Sequence, residues 1–264
     1  MREKERADKL LLEQGLAESR QKARALIMAG VVYSDGRRVE KPGQMLEMER
    51  KLCVKEGMPY VSRGGMKLEE AFETFRISAE DKVVADLGAS TGGFTDCLIQ
   101  KGAKKVYAVD VDTRQIDWHL RKDPRIVLIE KNARYLEKAD FSEDLDIITM
   151  DLSFISVLKV LPAVQRCIGD GLLLSLIKPQ FEVGRNQVGK KGIVRDPLLH
   201  EEVLRKMVRE AKEMGWNTQG LMKTSLRGQK GNREFFILWS AVKSPLTDEE
   251  VDRQIKEAVW NGRN

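Results

Sequence analysis

The sequence predicts an α/β fold, a seven-stranded and mostly parallel sheet preceded by a small α+β unit, and three observations predict it. From about residue 60 short apolar runs alternate with longer stretches of helical periodicity. One run, Val83-Val84-Ala85, leads into Asp86-Leu87-Gly88-Ala89-Ser90-Thr91-Gly92-Gly93-Phe94, three glycines placed where a strand should turn into a helix. Glycine there lets the backbone turn tightly and come within contact distance of a ligand. Residues 6 to about 57 instead carry two short amphipathic stretches and then short strand-like runs.

The chain has 264 residues, 42% hydrophobic and 33% charged, enough for one large domain and a small one. Domains over 1–60 and 61–264 are expected. The longest strongly apolar stretch, Gly171 to Ile177, is too short to cross a bilayer, and the opening residues alternate in charge without an apolar segment. A cytoplasmic chain without membrane insertion is expected. Cys53, Cys97 and Cys167 stand far apart with no CxxC pattern, which favours free thiols over disulfides or a metal site. A net charge of +5 permits a nucleic-acid partner without requiring one. Two glycine-punctuated segments concentrate the positive charge, one with Lys178, Arg185, Lys190, Lys191 and Arg195, the other with Lys223, Arg227, Lys230 and Arg233.

In chain order, Leu10 to Leu12 before Gly15 and Ala23, Leu26 and Ile27 before Gly30 predict two short helices. Val31 to Tyr33, the Asp35-Gly36 turn, Val39, the Pro42-Gly43 breaker and a run near Lys51 to Val54 predict a small sheet. The segment from Ser19 to Gly43, with its Ser-Arg helix start, Gly-Val strand and Lys-Pro-Gly turn, resembles the ribosomal-protein-S4-like RNA-binding domain. That resemblance implies that Arg6, Arg20, Lys22 and Arg24 face structured RNA.

Strands are then predicted at Lys82–Asp86, Lys105–Asp110, Ile126–Ile129, Leu145–Asp151, Gly171–Lys178, Thr218–Lys223 and Glu234–Ser240. Helices are predicted near Lys67–Phe75, Gly93–Lys101, Ile116–Arg121, Ser156–Ile168 and Leu198–Glu213. Open sheets of this kind bind ligands beyond the carboxyl ends of their strands.

The glycine loop fits neither common nucleotide pattern. Ser90 stands where GxGxxG needs its second glycine, and Phe94-Thr95 follows where a phosphate-cradling loop needs Lys-Ser/Thr. S-adenosylmethionine fits better: Asp86 could meet its ammonium, Asp110 could accept both ribose hydroxyls, and Asn132 and Asp151 would complete a polar ring around the adenosine. The expected cofactor contacts are Asp86, Gly88, Ala89, Ser90, Gly92, Gly93, Phe94, Asp110, Asn132 and Asp151.

Methyl transfer from a sulfonium needs a closely held, in-line nucleophile. Four ionisable residues stand where such a site should form: Lys67, Asp151, Lys178 and Glu234. A ribose hydroxyl is a very weak acid, so its oxygen needs a lysine that removes the proton or stabilises the developing alkoxide. This assigns Lys178 to the 2'-hydroxyl, Asp151 to its orientation, and Lys67 with Glu234 to an outer pair. The run "DLSF" after the fourth strand is not the Pro-Pro-aromatic run of amino-adenine enzymes, and Cys97 and Cys167 lie inside helices rather than at a strand end where a C5-cytosine nucleophile would stand. Phe154 and Phe181 are candidates for stacking on a target nucleotide.

"VSRGGMKL", "DLGASTGGFTD", "DLSFIS", "KPQFEVGR" and "GNREFF", in this order, resemble the TlyA family of ribosomal RNA methyltransferases, long labelled haemolysins, whose catalytic half is similar to FtsJ-like 2'-O-methyltransferases. The resemblance implies a Rossmann-like methyltransferase fold and S-adenosylmethionine as cofactor. It also implies a Lys-Asp-Lys-Glu tetrad at Lys67, Asp151, Lys178 and Glu234, and cytidine 2'-hydroxyls of ribosomal RNA or ribosomal subunits, not DNA, as substrate. RNA contacts are then expected at Arg63, Arg185, Lys190, Lys191, Arg195, Lys223, Arg227 and Lys230. A membrane-active haemolysin and a non-catalytic RNA-binding assembly factor are the competing readings. The helices carry short apolar faces, against the first, and the tetrad is intact, against the second.

Overall fold

The computed structural model describes residues 4–35, 37–54, 59–184, 187–189, 192–228 and 231–261. The chain divides into two compact units, Met1–Pro59 and Tyr60–Asn264.

The first unit runs β1 (Lys4–Arg6), α1 (Ala7–Glu13), α2 (Arg20–Ala29), β2 (Val32–Ser34), β3 (Arg37–Arg38), β4 (Met45–Glu47) and β5 (Leu52–Val54). Ser19 caps α2 by accepting from Lys22 N, and Gly30, at φ +77°, ends it. Strands β3, β2 and β5 form one antiparallel sheet, while β1 pairs with β4, two strands the sequence reading lacked. Ala7, Leu10, Leu11, Ala23, Ile27, Val32 and Leu52 fill a small core. Beside it lies a fully buried carboxylate. Asp8 accepts from Arg6 Nε at 2.9 Å and Nη2 at 3.0 Å, and from Arg20 Nε at 3.2 Å. Arg6 and Arg20 are therefore tied to an internal acid while their side chains stay 40% and 51% exposed, and Lys22 and Arg24 are exposed as well.

The second unit contains α3 (Arg63–Phe75), β6 (Val83–Leu87), α4 (Gly93–Gln100), β7 (Lys105–Asp110), β8 (Ile126–Glu130), β9 (Ile147–Met150), α5 (Leu161–Cys167), β10 (Leu172–Ile177), α6 (Pro179–Glu182), α7 (Pro197–Glu213), β11 (Asn217–Lys223), β12 (Phe235–Ser240) and α8 (Asp248–Trp260). Seven strands lie in the order β11-β12-β10-β9-β6-β7-β8, parallel from β10 to β8 and antiparallel at β12 and β11. Strands buried on both faces read as unbroken apolar runs, which is why Val83-Val84-Ala85 and Leu172 to Ile177 are recognisable. Successive side chains still alternate: Val83, Ala85 and Leu87 join the core shared with α5, α7 and α8, whereas Val84 joins the core under α3 and α4.

The helix expected over Ile116–Arg121 is instead two separate 3-10 turns, Thr113–Gln115 and Leu120–Lys122. Aspartates divert the backbone there: Asp117 accepts from His119 N, and Asp123 from Arg125 N. The helix expected from Ser156 begins only at Leu161, with Pro162 in its first turn. Helix α8 lay beyond the predicted elements, although Thr247 and Glu250 form a capping box at its start.

Replacing Asp8 by Asn should cost about 1.5–3 kcal/mol of stability at neutral pH, since a charged acceptor of three hydrogen bonds is lost. Hydrogen bonding from Arg6, the largest cause, holds the Asp8 carboxyl below its ordinary 3.8. Its contribution is present above that value and is lost as the folded carboxyl protonates at lower pH, so the cost should shrink in acid. Hydrogen exchange at α1 and α2 of the full chain, followed against pH, measures it.

Candidate active site

The carboxyl ends of β6, β9 and β10 and the amino end of the reversed strand β12 meet at one edge of the sheet. After β6 the chain turns through Gly88 at φ +87°, where a Cβ would stand 2.7 Å from the Asp151 carbonyl oxygen. Only glycine allows that approach without strain. Gly92, at φ +94°, then opens α4. Between them Ser90 N donates to Asp110 Oδ2 at 2.8 Å, while Asp112 N donates to Oδ1 at 3.1 Å. Asp110, at the end of β7, thus fixes the glycine loop through its backbone.

The four expected catalytic residues converge as two ion pairs. Lys67 Nζ lies 2.6 Å from Glu234 Oε2, both side chains buried. Lys178 Nζ lies 2.6 Å from Asp151 Oδ1 and donates to Ser153 Oγ at 2.9 Å, a wetter pair with side chains 12% and 24% exposed. Ser62 caps α3 and so sets the helix that carries Lys67. Gly228 packs so closely on the Glu234 carboxylate that a side chain there would overlap it. All four residues line a cavity of about 390 Å³ together with Arg63, Gly88, Ala89, Ser90, Gly93 and Phe94.

A larger cavity of about 900 Å³ adjoins it, lined by Gly88, Ser90, Val109, Asp110, Val111, Asn132, Ala133, Asp151 and Val160 among others. Both cavities share Gly88, Ser90, Asp151, Ser153, Phe154, Gln180 and Phe181 as walls. Phe154 is 91% exposed, sits at φ +66° and holds its ring centroid 5.1 Å from that of Phe181. A phenylalanine kept exposed in the left-handed region is costly by about 1–3 kcal/mol, a strain that collects at functional sites. Behind it Glu182, which the sequence reading did not single out, accepts from Ser156 Oγ at 2.5 Å and Val157 N at 2.8 Å. It fastens the Asp151–Ser156 segment to α6 from a buried position.

Asp86 departs from its expected place. It is fully buried, with Oδ2 accepting from Thr95 Oγ1 at 2.7 Å and Oδ1 from Thr149 Oγ1 at 3.2 Å. The alternation of β6 turns it toward α4, away from both cavity walls. Among the expected RNA contacts, Arg63 is exposed beside the smaller cavity and Arg195 and Arg227 are exposed elsewhere. Lys223 is half-buried and donates to the Asn261 carbonyl. Arg185, Lys190, Lys191 and Lys230 lie outside the described residues.

Residues 60–241 match the FtsJ-like methyltransferase family and residues 5–50 the S4 domain. A Bacillus subtilis chain provisionally named the rRNA methyltransferase YqxC is 46% identical over 265 residues, 97% of this chain and 94% of that one. The 16S/23S rRNA (cytidine-2'-O)-methyltransferase TlyA of Mycobacterium tuberculosis strain H37Rv is 41% identical over 267 residues, 99% of this chain and 100% of that one. A solved Streptococcus thermophilus structure, provisionally named a hemolysin, matches with a TM-score of 0.75 and 44% identity over 98% of this chain and 95% of that one.

Burial pushes the Asp86 carboxyl up to about 7 against the pull of the Thr95 hydroxyl, with the Asp151 charge adding to the rise. The folded state therefore binds this proton more tightly than the unfolded chain, and stability falls as pH rises from about 4 to about 7. Asp86→Asn should remove that slope. The stability difference between the two chains, from denaturant unfolding, should then change with pH by at most about 1.4 kcal/mol per unit. A difference constant across that range would contradict the assignment.

Proposed function

The chain belongs to the FtsJ-like methyltransferase family, and from that premise we propose that it transfers a methyl group from S-adenosylmethionine to the 2'-hydroxyl of a cytidine ribose in ribosomal RNA. The observation that carries this reading is the meeting of Lys67, Asp151, Lys178 and Glu234 in one cavity that borders the glycine loop. The named activity of the Mycobacterium tuberculosis relative, matched along its whole length, supports the same substrate.

The larger cavity fits the cofactor by the chemistry of its lining. Asp110 offers carboxylate lone pairs to ribose hydroxyls, Asn132 an amide, and Val109, Val111, Ala133 and Val160 apolar surface for an adenine. Gly88 and Ser90 of the glycine loop line both cavities, and Ala89 lines the smaller one. When bound, the sulfonium supplies an electrophilic methyl with a neutral leaving group.

Lys178 Nζ is the atom set against the attacking ribose oxygen. Asp151 and Ser153 fix its aim, and its charge offsets the negative charge that grows on that oxygen. The hydroxyl proton leaves to the Lys178–Asp151 pair. The Lys67–Glu234 pair holds α3 and β12 together next to it and keeps the local charge balanced. Phe154 offers a stacking face at the cavity mouth, and exposed Lys22, Arg24 and Arg63 offer positive charge to an RNA backbone. As to membrane lysis, no helix among the described residues is long and apolar enough to cross a bilayer.

Lys178→Ala should lower the rate of methyl transfer into ribosomal RNA by about 10²–10⁴-fold while leaving S-adenosylhomocysteine affinity nearly unchanged. Radiolabel incorporation and mapping of ribose methylation measure the first, calorimetry the second. Near-native transfer would remove Lys178 from this role.

A further inference from the structure

A second, separately built pocket lies on the loops that lead into Glu234. Its cavity, about 380 Å³, is lined by Ile193, Val194, Arg195, His200, Arg227, Gly231 and Arg233. Three arginines thus line one space, and among the described residues its lining contains no acid. Among the described residues none of the three is ion-paired to an acid; Arg227 Nη1 donates only to the Gly231 carbonyl at 3.3 Å and Arg233 Nη1 only to that of Val259 at 3.5 Å. Asp196, which follows Arg195 in the chain, has Oδ1 committed to Leu198 N at the start of α7.

The arginines are not scattered surface charges, because the two loops that carry them are stitched together. Asn232 is buried, accepts from Val194 N at 3.0 Å and donates to the Gly192 carbonyl at 3.0 Å. Gly228 N closes on the Asn232 carbonyl at 3.0 Å. From α7, buried His200 places Nε2 3.0 Å from the Val194 carbonyl, so Nε2 is the donor. The other ring atom, Nδ1, is buried without a hydrogen-bond partner among the described residues. With Nε2 donating, Nδ1 is an acceptor and takes no bond from an anion, so the ring serves to brace the loop at Val194. Positive charge has accumulated here without compensation: burial, then Arg233 and Arg227, hold Lys223 below its usual range.

We propose that this pocket binds a single phosphodiester group of the RNA backbone, caged by Arg195, Arg227 and Arg233. Guanidinium forks suit a tetrahedral anion with several acceptor oxygens. The site rests on the reading of RNA as substrate and adds where one phosphate sits. Arg233 precedes Glu234 directly, and the same loop packs Gly228 on the Glu234 carboxylate, so a phosphate held here fixes the strand in register with the tetrad.

The test uses the full chain with Arg195→Gln, Arg227→Gln and both together. RNA affinity is measured from low to physiological salt. Each single variant should bind RNA about 3- to 10-fold more weakly, and the slope of log K against log salt should become shallower by about 0.7–0.9. Because one phosphate is shared, the double variant should lose the same slope once, not twice. Unchanged affinity, or a slope loss that doubles in the double variant, would overturn the cage. So would saturation of the pocket by millimolar inorganic phosphate with no effect on RNA binding, which marks a free-anion site. Calorimetric S-adenosylmethionine binding checks that the variants are folded. Should the wild-type chain bind RNA with these features yet methylate no ribose, the proposed reaction fails while the phosphate cage stands.

Discussion

A nearly dry ion pair between Lys67 and Glu234, 167 positions apart in sequence, is the contact on which the second unit's functional edge depends. Two charges removed from water are held together by the cost of parting them. Removing one partner of such a pair destabilises by about 3–5 kcal/mol, because the other charge stays buried alone. The pair therefore pins the second turn of α3 to the start of β12. Its wetter counterpart, Lys178 with Asp151, has a hydroxyl neighbour and an opening to solvent. One pair has the burial of an anchor, the other the access that proton movement needs.

Strand order explains how residues so distant come to stand in a row. β12, β10, β9 and β6 are neighbours in the sheet, and they deliver Glu234, Lys178, Asp151 and Gly88 at successive positions, with strands about 4.8 Å apart. Glu234 belongs to that row only because β12 runs backwards. Its first residue, Phe235, pairs with Ile177, the last of β10. A parallel strand would have put the acid at the opposite rim.

Much of this edge was legible in the sequence. Apolar runs marked the central strands, and charged residues at their ends marked Asp151, Lys178 and Glu234, whose partners the structure shows, while Lys67 sits on α3. Asp86 misled because it too closes an apolar run, but the two-residue period of β6 aims it at α4. Val84, two residues earlier, belongs to the same face. Arg6 and Arg20 also serve a buried partner, Asp8, which left no mark in the sequence pattern, because burial of a single acid in a short helix has no periodic signature. Helix α8 carries its signal in Thr247 and Glu250, the capping pair at its start. Glu182 had no local signal at all, because its importance lies in two partners 25 and 26 residues away.

The wall common to the two cavities has a pharmacological consequence. Gly88, Ser90, Asp151, Ser153, Phe154, Gln180 and Phe181 face both chambers, so a single two-headed compound could occupy both through a short tether. Tethering turns the second docking event into an intramolecular one and can raise overall affinity by about 10²–10⁴-fold with no new contact.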